Sequence, residues 1–351
     1  MSAIVHQHVP LTHPRLPRWA PALVGVISLA LAALLGISLG WGPVGIVVVA
    51  LLVYLVGLPV WSRLVENRRA ATNRFVTTLV WVSLGIALVP LGSLLWKVIS
   101  LGAPQVNGRF LTWSMKNVFG ESGGIYHSLT GTLIITLIAT IISVPVGLMT
   151  AIYLVEYGAK SRTASAIRFL VDVMTGIPSI VAGLFAYALF TLLFGPGTKI
   201  GFAGGLALSL LMVPIVVRSA EEMLKLVPDD LREASWALGV PKWKTILKVV
   251  LPTALAGIIT GVTLAVARVI GETAPLLIAC GATTAVNLNP ASGQMSSLPV
   301  FIYFSYTQPG ANPKILQDMA WGAAFVLIVV VMVLNLIARV AGKILAPKTG
   351  H

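Results

Sequence analysis

The chain has 351 residues, 57% of them hydrophobic and only 10% charged, with a formal net charge of +13 and a mean hydropathy of +0.94. That apolar share exceeds what a soluble domain carries, so a soluble enzyme is excluded in favour of a polytopic membrane protein. The bases stand at the ends of apolar runs, with no stripe interleaved with aromatics, so the positive charge marks topology and not a nucleic-acid surface.

Residues 1–19 form a polar, basic tail, in which His6, His8 and His13 read as tail residues and not as a metal site. Eight apolar runs follow, near 20–39, 43–61, 76–100, 128–155, 168–194, 200–219, 253–280 and 319–342. Each is close to the roughly 17–25 residues needed to cross the hydrocarbon layer. Arg15 and Arg18 precede the first run. At about eighteen apolar residues, with no small-x-small site after it, this run is expected to stay as a span and not to be cleaved as a signal peptide.

Alternate loops carry Arg63, Arg68, Arg69 and Arg74, then Lys160 and Arg162, then the stretch 221–252, then Arg339, Lys343 and Lys348. The intervening loops carry fewer bases: Arg109 and Lys116, then Lys199, then Lys314. The positive-inside bias therefore predicts that both termini and 221–252 are cytoplasmic. Loops 101–127 and 281–318, rich in Gly, Pro, Asn and Ser, are then outside.

Within the runs, Pro178, Pro214 and Pro275 are expected to kink helices or to free carbonyls that line a cavity. The small-residue stretch 201–207 permits close helix approach. Cys280, the only cysteine, ends an apolar run and reads as core; no intrachain disulfide is possible. Asp172 is expected at a helix interface and not in the path, with Arg168 one turn earlier as a candidate partner, and Arg218 is expected to pair with Glu221 or Glu222 or to reach lipid headgroups.

The polar stretch 221–252 sets Glu221, Glu222, Asp229, Asp230 and Glu233 against Lys225, Arg232, Lys242, Lys244 and Lys248. Asp230 with Glu233 reads as a capping box that starts a helix after Pro228. Gly239 supplies a stop, Pro241 opens a second helix, and Pro252 marks entry to the next apolar run. The product is two short helices around a Gly turn at the membrane surface, a shape suited to a groove on a partner.

The 253–280 run then carries Arg268 and Glu272, with Arg268 roughly 22 Å along the predicted helix, near or beyond the membrane midplane. Charges at that depth are functional candidates; the alternative is an i,i+4 ion pair that fixes packing. There is no phosphate-cradling G-x-x-x-x-G-K-[ST] loop, no H-E-x-x-H helix and no nucleophile elbow, so the chain carries no ATPase of its own.

Glu233-Ala234-Ser235, three residues, Gly239, nine residues, Val249, one residue and Leu251-Pro252 resemble the EAA signature of ABC importer permeases, with Ser235 in place of the second Ala and Val249 in place of Ile. The segment from Arg268 through Gly271, Glu272, Thr273 and Ala274 to Pro275, with Ile177-Pro178-Ser179-Ile180-Val181 and Arg218, looks like the PstA-type permeases of phosphate importers. The resemblance covers roughly 75–342 and leaves 1–70 outside.

It implies an all-α membrane protein of about eight spans, in which a type I importer core of six helices follows an extra N-terminal pair. The implied division is a basic tail (1–19), the helical pair with its basic loop (20–70), the permease domain (75–342) with coupling helices at 229–252, and a cytoplasmic tail (343–351). It further implies a non-enzymatic subunit in the cytoplasmic (inner) membrane that forms half of a phosphate path. Glu233, Ala234, Gly239, Pro252 and Arg218 would couple to the ATPase, and Arg268, Glu272 and Thr273 would line the path. No cofactor is bound by the chain, and ATP is used by the partner ATPase. The implied partners are a PstC-type permease half, a PstB-type ATPase dimer, an extracytoplasmic phosphate-binding protein and membrane lipids, with no nucleic acid. The open alternatives are an importer of another oxyanion, sulfate or molybdate, and a proton-coupled secondary transporter, which usually shows inverted repeats not seen here. A scaffold without transport would not need Arg268 and Glu272 at depth.

Overall fold

The computed structural model describes residues 15–118, 123–158, 161–308, 310 and 312–345. His6, His8, His13, Lys160, Lys348 and the outer parts of both expected tails lie outside the described residues. Every regular element among the described residues is helical. Among the described residues, seven helices are long and apolar enough to cross a membrane, and a bent pair makes an eighth span if it crosses as one.

The described residues fall into two compact units, one up to Lys97 and one from Val98 onward. The first contains α1 (Ala20–Leu39), α2 (Pro43–Val65) and most of α3 (Arg68–Gly102). Proline stands in the first turn of α1 and of α2, where its missing N–H removes no helical bond. α1 packs against α2 along a seam of small residues, with Ala20, Ser28 and Ala32 buried. Most other large side chains of this unit face outward, as lipid-facing helices require.

The second unit is built around α8 (Gly201–Lys225), which packs on α5 (Tyr126–Ile152), α7 (Ser179–Phe194) and α11 (Leu251–Val269). Lipid tails are as apolar as leucine, so close packing and not water exclusion must hold such helices together. The stretch 201–207 supplies it: Ala203 and Ala207 are fully buried, and a Cβ on Gly204 would lie 1.9 Å from the Cys280 sulfur. Cys280 is core, as its position in the sequence indicates.

Two expected spans are redrawn. The 168–194 run is not one helix: α6 (Arg162–Thr175) and α7 meet at 105°. Pro178 lacks an N–H and drives Ile177 away from helical dihedrals, so the chain turns at 176–178. The 253–280 run ends as a helix at Val269 and resumes only as the short α12 (Ala274–Ala279), with Pro275 in its first turn. Upstream, the helical path runs back without interruption to Lys242, giving a span of 28 residues.

The loop 281–318 also contains order, since α13 (Leu298–Thr307) packs on α14 (Pro313–Leu345). Phe110 of the one-turn α4 (Gly108–Thr112) joins Leu298, Phe301 and Met319 in a shared core. Ser296 is fastened to α5 by a 3.0 Å hydrogen bond between its hydroxyl and that of Ser128, and the Leu298 N–H donates to Thr132 Oγ1 at 2.7 Å. These contacts hold the loops against the bundle.

Candidate functional site

The polar stretch hangs from one side chain. Arg232, in α9 (Asp229–Ala237), is 7% exposed, and all five of its N–H donors are engaged. Nε and Nη2 donate to Glu156 Oε1 at 3.1 and 3.0 Å, Nη2 also to the Leu224 carbonyl at 3.0 Å, and Nη1 to the Val227 carbonyl at 2.6 Å and Asp229 Oδ1 at 3.1 Å. Glu156 lies in a single π-helical turn, Tyr153–Tyr157, that extends α5. Its backbone carbonyl accepts from Lys242 Nζ, so one residue holds both arms of the stretch.

Between the arms, Gly239 has φ +73°, the left-handed region in which glycine is at ease. Inside the turn, the Ser235 and Thr245 hydroxyls lie 2.8 Å apart, both buried. Ser235, which replaces an alanine of the EAA signature, thus closes the turn with a polar contact. The expected capping box does not form: Pro228 occupies the cap without a side-chain bond, and Asp229 is drawn to Arg232. Nor is the second arm a separate helix. α10 (Lys242–Thr245) passes through a second π-helical turn, Ile246–Val250, into α11. Pro252 follows this wide turn inside the continuous span, where the Leu251 N–H already reaches back five residues to the Ile246 carbonyl.

The outer surface is apolar for a loop. Glu233, Ala234 and Gly239 are exposed, together with Trp236, Leu238 and Trp243; Leu238 is 83% exposed. Exposed side chains of this size on a polar loop mark a contact surface.

Behind it lies a second ionic group. Arg168 Nε donates to Glu221 Oε1 at 3.0 Å and its Nη2 to the Leu154 carbonyl at 3.0 Å, while Lys225 pairs with Glu221 at 2.8 Å. Arg218 pairs with Asp172 at 2.5 Å. Both expected pairings are therefore exchanged: Asp172 takes Arg218 and not Arg168, and Arg218 takes neither Glu221 nor Glu222. The bend at 176–178 orients α6 so that Arg168 and Asp172 meet α8, and a cavity of about 240 Å³ lies among these groups.

Arg268, Glu272 and Thr273 stand where α11 stops. Arg268 is exposed in the last helical turn, Glu272 is half-buried in the non-helical link and Thr273 precedes α12. No i,i+4 ion pair joins Arg268 to Glu272, because the helix that would align them ends between them. Counted from Lys248, Arg268 is about 30 Å along the helix axis, close to the full thickness of the hydrocarbon layer. The link is braced by Pro275, whose Cα would lie 2.6 Å from a Cβ placed on Gly183 of α7.

A family model described as the binding-protein-dependent transport system inner membrane component matches residues 143–351. The chain belongs to that family. The matched region of this inner membrane component contains the polar stretch, both ionic groups and the Arg268 link. It is 48% identical over 283 residues to the phosphate transport system permease protein PstA 1 of Mycobacterium tuberculosis (strain CDC 1551 / Oshkosh), covering 80% of this chain and 91% of the relative. It is 47% identical over 279 residues to PstA of Mycobacterium leprae, covering 78% and 90%, and 38% identical over 285 residues to PstA of Yersinia pestis, covering 80% and 95%. Among solved structures, a chain of the MetNI methionine ABC transporter in an inward-facing form aligns with TM-score 0.50 and 20% identity, covering 64% of this chain and 94% of that one. That likeness shows the fold, an ABC importer permease bundle.

Glu156 is the site residue that sequence reading missed, and for Arg168, Asp172, Arg218 and Glu221 it missed which partners meet. One signal was present: Glu156 is an acid at the C-terminal end of a long helix, where the helix dipole disfavours it, so a buried cation was to be expected nearby.

Proposed function

We propose that this inner membrane component is the PstA-type permease half of an ATP-driven importer of inorganic phosphate. The observation that carries the reading is the 48% identity to a phosphate transport permease over 91% of that relative's length. In this reading Glu233, Ala234 and Gly239 face a PstB-type ATPase dimer, and Pro252 and Arg218 transmit its motion to the spans. A PstC-type permease completes the path, and an extracytoplasmic binding protein delivers phosphate. ATP is bound and hydrolysed by the ATPase, not by this chain. Both termini and the polar stretch are cytoplasmic, in line with the distribution of Lys and Arg.

The division of labour within the chain follows from the same reading. Residues 20–70 form an accessory helical pair and 75–342 the transport domain, with coupling helices at 229–252. Closure of the ATPase dimer would move the clamped stretch as a body and switch the path between its two openings. Arg268, Glu272 and Thr273 line the path. Arg268 replaces lost hydration of the oxyanion with a planar fork of donors. Glu272 accepts from the P–OH of hydrogen phosphate, a donor that sulfate lacks.

The test is uptake of labelled phosphate by vesicles holding the complete complex, with sulfate and molybdate as competitors. Phosphate uptake that needs ATP and resists both competitors is expected. Uptake suppressed by sulfate or molybdate would reassign the substrate, and uptake driven by a proton gradient without ATP would overturn the reading.

A further inference from the structure

The first unit contains a groove of about 1100 Å³, lined among others by Arg15, Tyr54, Glu66, Arg69, Arg74 and Trp81. It lies outside the stretch that the family model matches. α1 begins at Ala20, α2 ends at Val65 and α3 begins at Arg68, so the groove sits where three lipid-facing helices meet one edge of the apolar layer.

Its charges do not balance. Glu66, the only carboxylate among the described lining residues, is used up within the unit: it accepts from Arg74 Nε and Nη2, each at 2.8 Å, from Ser62 Oγ at 2.5 Å and from the Leu16 N–H at 2.8 Å. The Arg74 hydrogen bonds hold its carboxyl at about 2, with Ser62 and Leu16 assisting against the opposing effect of burial, so it stays ionised and neutralises Arg74 alone. Arg15 and Arg69 are both exposed and form no ion pair among the described residues. Two guanidinium forks are thus left over for an anion.

The rest of the lining describes the anion. Asn73 and Thr77 offer neutral polar groups, whereas Trp81, 65% exposed on α3, offers an aromatic face one step further into the apolar layer. Indole rings favour this boundary, where one end is wet and the other apolar. The volume is several times that of a single oxyanion, and basic recesses between helices at the membrane edge suit acidic headgroups. We propose that the groove is a binding site for an anionic phospholipid: Arg15 and Arg69 hold its phosphodiester, and its acyl chains leave past Trp81.

The experiment measures binding of phosphatidylglycerol, titrated into phosphatidylcholine nanodiscs that hold the full-length chain in its complex. Saturable binding by the wild type is expected, weakened about 30-fold in the double variant Arg15→Gln/Arg69→Gln at about one decade or less per charge. The Arg15→Lys/Arg69→Lys protein is expected to recover most of the affinity. Arg63→Gln, close in sequence but outside the lining, is expected to bind as the wild type does. Unchanged binding in the double Gln variant, or equal weakening by Arg63→Gln, would overturn the site. Displacement of the lipid by millimolar inorganic phosphate would overturn the lipid assignment in favour of a free-phosphate site. Both arginines are exposed, and helicity by circular dichroism checks that the variants fold as the wild type does.

Discussion

Arg232 reaches back across 76 positions of sequence to place two hydrogen bonds on one oxygen of Glu156. The pair ties the loop between α8 and α11 to the end of α5, and it does so below the surface, with 8% and 5% of the two side chains exposed.

Breaking a buried pair from one side leaves a charge without a partner, at a cost of about 3–5 kcal/mol. Glu156→Ala is therefore expected to loosen residues 229–245 and to reduce recovery of the ATPase with the complex. Glu156→Leu combined with Arg232→Met is expected to be more stable than either single change. Proteolysis of the loop in the purified complex checks both; a Glu156→Ala loop as resistant as the wild type would refute the anchoring role.

The exposed Arg218–Asp172 pair stands in contrast, with 53% and 59% of its side chains exposed. Pairs of this kind contribute about 0.2–1 kcal/mol. Asp172→Asn is expected to leave the thermal midpoint of the complex within a few degrees of the wild type, while any loss of ATP-driven uptake would show that the contact matters to motion. A large fall in the midpoint would assign the pair to stability instead.

At Gly239 the backbone conformation itself is the requirement. Nothing lies within 4 Å of a Cβ placed there, yet φ +73° costs most residues about 1–2 kcal/mol. Gly239→Val is expected to lose most phosphate-stimulated ATP hydrolysis, whereas Gly239→Asn, which tolerates this region better, keeps most of it. Equal losses in both variants would place the effect in the partner contact and not in the turn.

For Arg268, exposed at the end of α11, the proposed role is a two-pronged grip on the substrate. Arg268→Ala is expected to lower phosphate uptake by at least about tenfold, and Arg268→Lys to recover only part of it, because an ammonium lacks the planar fork. Normal uptake by an Arg268→Ala protein at normal abundance would remove this residue from the path.

Acid should act on the first unit through Glu66. Its folded pKa, about 2, lies below the ordinary glutamate value of 4.5, so the stabilisation it provides is complete above pH 4.5 and is lost as the pH falls toward 2. The Trp19 and Trp61 rings, 6.2 Å apart, provide a near-ultraviolet dichroism signal for the transition. Glu66→Gln is expected to weaken this signal at pH 7 and to flatten its dependence below pH 4.5. An identical profile for wild type and variant would mean that other groups control it.

Most of the bundle was legible because apolar length is a strong signal: 20–39 was found to the residue, and other spans differed mainly at their ends. The failures occur where length misleads. Hydropathy runs straight through Ile177-Pro178 and through Gly271-Glu272-Thr273, whereas the helices break there for reasons of dihedral and hydrogen bond. The exposed residues of the polar stretch were readable from Gly239 and the EAA pattern. The pairings of Arg232 with Glu156, Arg168 with Glu221 and Arg218 with Asp172 were not, because each partner lies on another helix and depends on the bend at 176–178 or on the end of α5. Periodicity along one segment carries no information about which distant carboxylate will face it.

The wide turn at Ile246–Val250 separates two jobs that one straight helix would have joined. In an unbroken α-helix each residue turns the side chains by about 100°, so the face presented by Thr245 would dictate the face presented by Ala254, Ile258 and Ala265. One extra residue in the ladder offsets the two segments by about that angle. The loop-facing segment can therefore be fitted to whatever it meets outside the bundle while the inner segment keeps its own fit to α8, so substitutions selected on one side need no compensation on the other.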